Sequence, residues 1–365
     1  MIKHTRKYRL ISTLLLGIVS LNQIAHATEQ FVIADHIVSI TLEGKVNPQT
    51  LGVIVNIQDP YSIELARYYL AKRGVPISNL IAVDFKPGNE NLSRKDFSSV
   101  FEDAQRNTRD YIQAYVLTWS KPFKVDCMSI TSAFAFGFDV NHCANGCLPT
   151  KQSPYFDSNV VSPWSELRIR PTMMLAANSF ENLVDLIDRG IEANKSSPLQ
   201  SKAFIVETSD KNRSIRSQMI TNQRINTGNQ HGLSVHIEKK PYLSNQSDVM
   251  FYFIGASNVS NISTNKYAPG AIADNLTSYG GILNSTHGQT TVMDWIKNGI
   301  TGSYGTVVEP CNFPQKFPAP LIAIKHYLNG DTLIEAYWKS VASPGQGLFV
   351  GEPLARPYGN SSSAN

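Results

Sequence analysis

Leu51 to Ile57 (Leu-Gly-Val-Ile-Val-Asn-Ile) constrains the fold more than any other stretch, because it is apolar almost without interruption. A strand solvated on one face alternates, whereas a strand covered on both faces does not. Asp59-Pro60 follows as an N-cap and first-turn pair, and Gly74 stands where a C-cap is expected. Between them Ile63, Leu65, Ala66, Tyr69 and Leu70 share one helical face. Leu80 to Phe85 reads as a second strand, residues 94–113 as a helix and Ala114 to Trp119 as a third strand. The order βαβαβ implies parallel strands joined by right-handed crossovers. A helix at Phe180 to Ala193 resumes the rhythm. Strands follow at Ala203 to Glu207, Leu233 to Glu238, Val249 to Ile254 and Ser303 to Glu309, with a closing helix near Thr332 to Val341. The expected fold class is α/β, a mostly parallel sheet with helices on both faces and a loop-rich, cysteine-bearing insertion at residues 121–170. The halves on either side of that insertion run from 28 to 120 and from 171 to 358.

The N-terminus predicts export. Lys3, Arg6, Lys7 and Arg9 precede an apolar run from Leu10 to Leu21, too short for a stable membrane helix, and Ala25-His26-Ala27 places small residues at a cleavage site. Residues 1–27 are read as a signal segment and the mature chain as periplasmic or extracellular. An uncleaved anchor is the competing reading. No later stretch reaches the roughly 20 apolar residues of a membrane helix. The chain holds 33 Lys+Arg against 29 Asp+Glu, and four of the basic residues lie before Thr28, so the remainder is formally neutral. It has no basic run, which removes the main support for a nucleic-acid or anionic-membrane partner. The Ser- and Asn-rich end, residues 359–365, reads as a disordered tail.

Four cysteines in an oxidising compartment favour disulfides. Cys127, Cys143, Cys147 and Cys311 allow three connectivities. One closes a local loop between Cys143 and Cys147 and leaves Cys127 with Cys311. A metal site from His142, Cys127, Cys143 and Cys147 is the weaker alternative; no metal and no cofactor are expected.

Two resemblances appear. Arg170 to Arg189, the strand ending in Glu207-Thr-Ser-Asp210, Gly299 to Val307, Gly330 to Ala336 and Gly351-Glu-Pro353 resemble parts of the catalytic domain of gingipain-type cysteine peptidases, which has a caspase-like fold. Cys127-Met-Ser-Ile-Thr-Ser132, Gly270 to Gly281 and Tyr304-Gly-Thr-Val-Val-Glu-Pro-Cys-Asn312 are similar to an uncharacterised exosortase-associated family of exported bacterial proteins. The first resemblance implies a His base after one strand and a Cys nucleophile after the next. Here the strand Phe251 to Ile254 ends in Gly255-Ala256-Ser257, with Ala256 in the base position, and Gly270 to Gly281 has no cysteine. Without a thiolate and a base the dyad mechanism is missing. The resemblances therefore imply a degenerate peptidase-like domain that binds an envelope protein or polysaccharide.

An active hydrolase is the alternative. Cys311 and His287 would be its thiol and base, against a structural role for both. A carboxylate site would draw on Asp59 and Glu309, which with Ser120, Asp210 and Ser257 follow strands and could share a crevice. Asp59 is equally explained as a helix cap, and Asp or Ser after a strand is ordinary turn chemistry. Asp274, Thr277, Ser278 and Asn312 complete the candidate binding set with Ser257. Arg213 and Arg216 read as a solvated helix face. His231-Gly232 and the Asn-x-Ser/Thr sites, such as Asn91, Asn275 and Asn284, carry no functional reading.

Overall fold

The structure, a computed structural model, describes residues 28–33, 36–41, 45–144, 146–195, 198–220, 230–284 and 288–359. The signal segment, His287 and residues 360–365 lie outside them. The chain divides into two compact units. In the first, β1 (Thr28–Ile33) pairs antiparallel with β2 (His36–Thr41). The second begins at Gly44 and contains all that follows.

Its first crossover forms as the sequence predicts. β3 (Leu51–Asn56) is buried at every position, and α1 (Pro60–Arg73) starts at Asp59, whose carboxylate accepts from Tyr61 N at 3.0 Å. Gly74 ends it at φ 64°, the left-handed cap that glycine adopts without Cβ strain. The buried face is Ser62, Leu65, Ala66 and Tyr69; Ile63 points outward. β4 (Leu80–Val83) and β5 (Asn91–Leu92) lead to α2 (Arg94–Asn107). This helix stops six residues before the expected end: Thr108 Oγ1 donates to Ala104 O at 2.6 Å, and a turn then carries the chain into β6 (Ala114–Leu117).

Residues 121–170 hold more structure than a loop. They contain β7 (Lys124–Val125), β8 (Met128–Ser129), α3 (Ile130–Phe136) and α4 (Pro163–Leu167). From Ile130 to Ala135 every residue of α3 is buried, and Ser129 Oγ donates to Gly347 O at 2.5 Å. The segment is thus built into the core beside the sheet. Helical period 3.6 cannot reveal α3, whose hydrophobic and small residues are buried all round.

After β9 (Thr172–Met174) and α5 (Phe180–Ala193) come β10 (Ser201–Glu207), α6 (Ile215–Ile220), β11 (Leu233–Lys239) and β12 (Val249–Ile254). Then follow β13 (Tyr267–Asn275), α7 (Val292–Lys297), β14 (Gly302–Thr306), α8 (Pro320–Leu328), α9 (Leu333–Lys339) and β15 (Gly347–Gly351). Among the described residues ten strands form one sheet in the order β11-β10-β12-β13-β14-β15-β9-β6-β3-β4. Pairing is parallel within β11-β10-β12-β13-β14 and within β9-β6-β3-β4. The fold class is α/β with a large, mostly parallel sheet.

β15 joins the two halves. It runs antiparallel to β14 over five residue pairs and meets β9 at one bridge, Val350–Met174. That bridge has parallel form, yet the path of β15 opposes β9. Gly347 lies against Ser129, near where β6 finishes, and Glu352 meets Arg73, level with where β3 begins. Helices α1 and α5 run side by side in the same sense, with Phe180 against Tyr61 and Tyr68, and Asp188 beside Lys72. Gly270, early in β13, lies against Ala193 at the end of α5. Both half-sheets therefore point the same way, and the C-terminal ends of nine strands lie along one edge.

Both faces are covered. On β12, Phe251 and Phe253 face the larger core and Tyr252 and Ile254 a smaller one. Arg216 of α6 lies over the Phe253 ring, and Trp295 of α7 packs edge-on to Tyr252 at 5.2 Å. Successive strand residues point to opposite faces, so α6 and α7 cover opposite sides. Among the described residues no helix is long and apolar enough to cross a membrane.

The cysteines form two bridges, Cys127–Cys143 and Cys147–Cys311. The local Cys143–Cys147 loop is not the one adopted, because Cys143 and Cys147 each face a different element. Both bridges fit an oxidising compartment. They also remove the thiolates that the metal alternative required, and His142 packs instead as a core ring. It is buried and stacks on Phe136 at 4.2 Å and 10°. Burial, helped by the Lys151 cation and opposed by Asp139, pushes its pKa down to about 4. An unfolded histidine takes a proton below about pH 6.5, while folded His142 takes one only near 4. Its contribution is thus fully present above pH 6.5 and is lost as pH falls through that window, costing roughly 2–3 kcal/mol. Denaturant melts at pH 7 and 4.5 should show wild type losing that much more than His142→Phe. Equal losses in the two proteins would refute the assignment.

Candidate functional site

The common edge places several predicted residues at strand ends, and the carboxylates Asp59, Asp210 and Glu309 among them are already engaged. Asp59 caps α1. Asp210 accepts from Arg213 N at 3.1 Å and from its Nη1 at 2.6 Å. Glu309 accepts from Cys311 N at 2.9 Å, a turn contact. Ser120 is half-buried, and Asn312 is exposed. Cys311 is bonded to Cys147, so it offers no thiol, and the free-thiol dyad with His287 is corrected on that ground.

Asp274 is wholly buried. Arg216 Nη1 donates to its Oδ1 at 2.6 Å and Tyr337 OH to its Oδ2 at 2.9 Å. Burial raises its pKa, against the pull of Arg216 and Tyr337. Arg216 also donates to Pro318 O at 3.1 Å and Ile254 O at 3.3 Å. The expected solvated face is therefore wrong for Arg216, which ties α6 to two strands from inside the core. Arg213 is only partly exposed and pairs with Asp210.

The strand ends open onto a cleft of about 650 Å³. It lies beside Gly255-Ala256-Ser257, where the sequence replaces a base by alanine. Thr290 N donates to Ser257 O at 2.9 Å, and Asn275 Nδ2 donates to Ala256 O at 3.0 Å and Thr290 O at 3.3 Å. Trp295 Nε1 donates to Asn275 Oδ1 at 2.8 Å, so one buried amide sets the loop between β13 and α7 against the end of β12. Thr277 Oγ1 and Tyr279 N both donate to Gln289 Oε1, at 2.8 and 3.0 Å, which fixes that side chain at the cleft wall. Ser257 and Thr277 thus frame the cleft from behind, while Ser278 accepts from Thr306 Oγ1 through its carbonyl.

The lining is mostly amide and hydroxyl, Asn178, Asn258, Asn284, Gln289, Thr290 and Thr291 among them, with Val259, Ile262, Leu283 and Met293 as apolar patches. Sequence reasoning missed these residues because it did not recognise β13. Pro269 and Gly270 break the strand pattern there, and the register with β12 shifts between Val249 and Phe251. With β13 in place, the polar run after it becomes a loop at a strand end. Among the described residues the cleft has one carboxylate, Asp294, whose Oδ2 accepts from Thr291 N at 2.8 Å and Thr291 Oγ1 at 3.0 Å as the capping box of α7. Among the described residues no group of three or more His, Cys, Asp or Glu is placed to hold a metal ion. Compared with known proteins, the sequence matches no family model and no curated protein.

Proposed function

We propose that this protein is an exported, non-catalytic binding domain, a degenerate relative of caspase/gingipain-like peptidases of the exosortase-associated kind. Its partner is an envelope protein or polysaccharide. The observation that carries this reading is the cleft beside Ala256, which lies at the edge where such a sheet presents its catalytic groups and is lined by neutral amides and hydroxyls. The one carboxylate among its described residues, Asp294, caps a helix. A thiolate–imidazole pair acts as a unit, and hydroxyls in its place do not take over the attack.

The alternative, an active hydrolase, requires the Cys147–Cys311 bridge to open before a thiol exists, or carboxylates to leave their caps and turns. Peptides with basic or apolar residues before the scissile bond, assayed with and without reductant, should show no turnover above background. Reductant-dependent cleavage abolished by Cys311→Ala would overturn the binding reading in favour of a thiol enzyme. Cleavage lost with Asp59→Asn or Glu309→Gln would overturn it in favour of carboxylate chemistry. Capture of a specific component from envelope extract is the positive test.

A further inference from the structure

Resting on the binding reading above, we infer that the cleft between the end of β12 and α7 takes an uncharged oligosaccharide. Its volume of about 650 Å³ falls within the roughly 300–1,000 Å³ of small-ligand sites. Amides supply a donor and an acceptor on one rigid plane, and a sugar hydroxyl both donates and accepts. Asn178 is thus matched to hydroxyl-rich ligands, as is Asn258 with its 3.4 Å contacts to Gly288 O and Thr290 Oγ1. Gln289, whose Oε1 is taken by Thr277 and Tyr279, offers its Nε2 as a donor. Leu283 and Met293 give the C–H face of a sugar ring an apolar seat.

Charge argues for the same class. No lysine, arginine or histidine is among the described lining residues, and the lone Asp294 is committed to Thr291. An anionic chain would lose its hydration with no cation among the described lining residues to replace it, and would meet the Asp294 carboxylate, which keeps its charge while it caps α7. A peptide held by main-chain pairing needs a free sheet edge. This cleft lies over the ends of β12 and β13, both interior strands.

The test uses the chain from Thr28 and oligosaccharides of four to six sugars. Neutral glucan, mannan and chitin fragments are titrated calorimetrically beside polygalacturonate and heparin fragments. At least one neutral series should bind saturably, and the charged fragments should not. Asn178→Ala combined with Asn258→Ala, both at exposed positions, should weaken binding at least tenfold while the protein stays folded, its melting temperature lowered by no more than the loss of the 3.4 Å contacts of Asn258 to Gly288 O and Thr290 Oγ1. Absence of binding by every neutral series, equal binding of charged fragments, or indifference to the paired substitution would overturn the inference. If the neutral series fail while the protein captures an envelope polypeptide, the sugar inference falls and the binding reading stands. If fragments are recovered shortened, the binding reading itself falls.

Discussion

Replacing Glu352 by alanine should cost about 3–5 kcal/mol, the loss expected when one partner of a buried ion pair is removed. That is a large part of the roughly 5–15 kcal/mol that holds a typical domain folded. Glu352 is fully buried and is the first residue after β15. Its Oε1 accepts from Tyr69 OH at 2.7 Å, Arg73 Nε at 2.8 Å and Leu354 N at 3.3 Å, and its Oε2 pairs with Arg73 Nη2. Without it the Arg73 guanidinium, 7% exposed, keeps its charge and loses its partner. Gly190 of α5 belongs to the same joint, since a Cβ there would run into the Glu352 carboxylate. One side chain therefore locks the strand between the two half-sheets to the ends of α1 and α5. The check is a double-mutant cycle by denaturant unfolding. Arg73→Met with Glu352→Leu should recover part of what Glu352→Ala loses, because no charge is then left buried alone. A loss below about 1 kcal/mol for the single alanine would show that the pair holds nothing together.

The sequence revealed the elements that follow simple rules. β3, α1 and β12 were legible because continuous apolar runs, a Pro-bearing cap and a terminal glycine each have one local explanation. What escaped was decided by tertiary context. β15 is five residues bracketed by glycines, β9 is three residues, and β13 carries a proline and a bulge. Each is a strand only because its neighbours supply the ladder. The same loss propagated to the site. Residues directly after recognised strands were nominated, and Asp59, Asp210 and Glu309 serve as caps and turns. The residues that line the cleft follow the strand that went unseen, or, like Asn258, stand beyond the nominated position. Arg216 shows the converse error, since charge on a short helix reads as solvated unless its buried partner Asp274 is known.

Removing the Cys147–Cys311 bridge should destabilise the protein more than removing Cys127–Cys143. The bridged residues are 164 apart in the first case and 16 in the second. In the chain-entropy account a cross-link restricts the unfolded ensemble more as the closed loop lengthens, giving about 3 kcal/mol for the short loop and about 5 for the long one. Local contacts act in the same direction. The segment after Cys147 is held by Lys316 Nζ donating to Leu148 O at 2.9 Å and Ser153 N to Ala342 O at 2.8 Å. These bonds connect it to parts of the chain more than 160 residues away, and the bridge keeps those parts close in the unfolded state. Burial pushes the Lys316 amine down to about 8, against the pull of Glu309, so the bridge also fixes a desolvated cation beside its acceptor. Paired serine variants of each bridge, unfolded in urea, give the comparison directly. Alkylation of the native protein without reductant should add no mass, since all four sulfurs are bonded. Two labelled cysteines, or a larger loss from the short bridge than from the long one, would overturn this account. Labelling confined to Cys147 and Cys311 would also restore the thiol on which the hydrolase alternative depends.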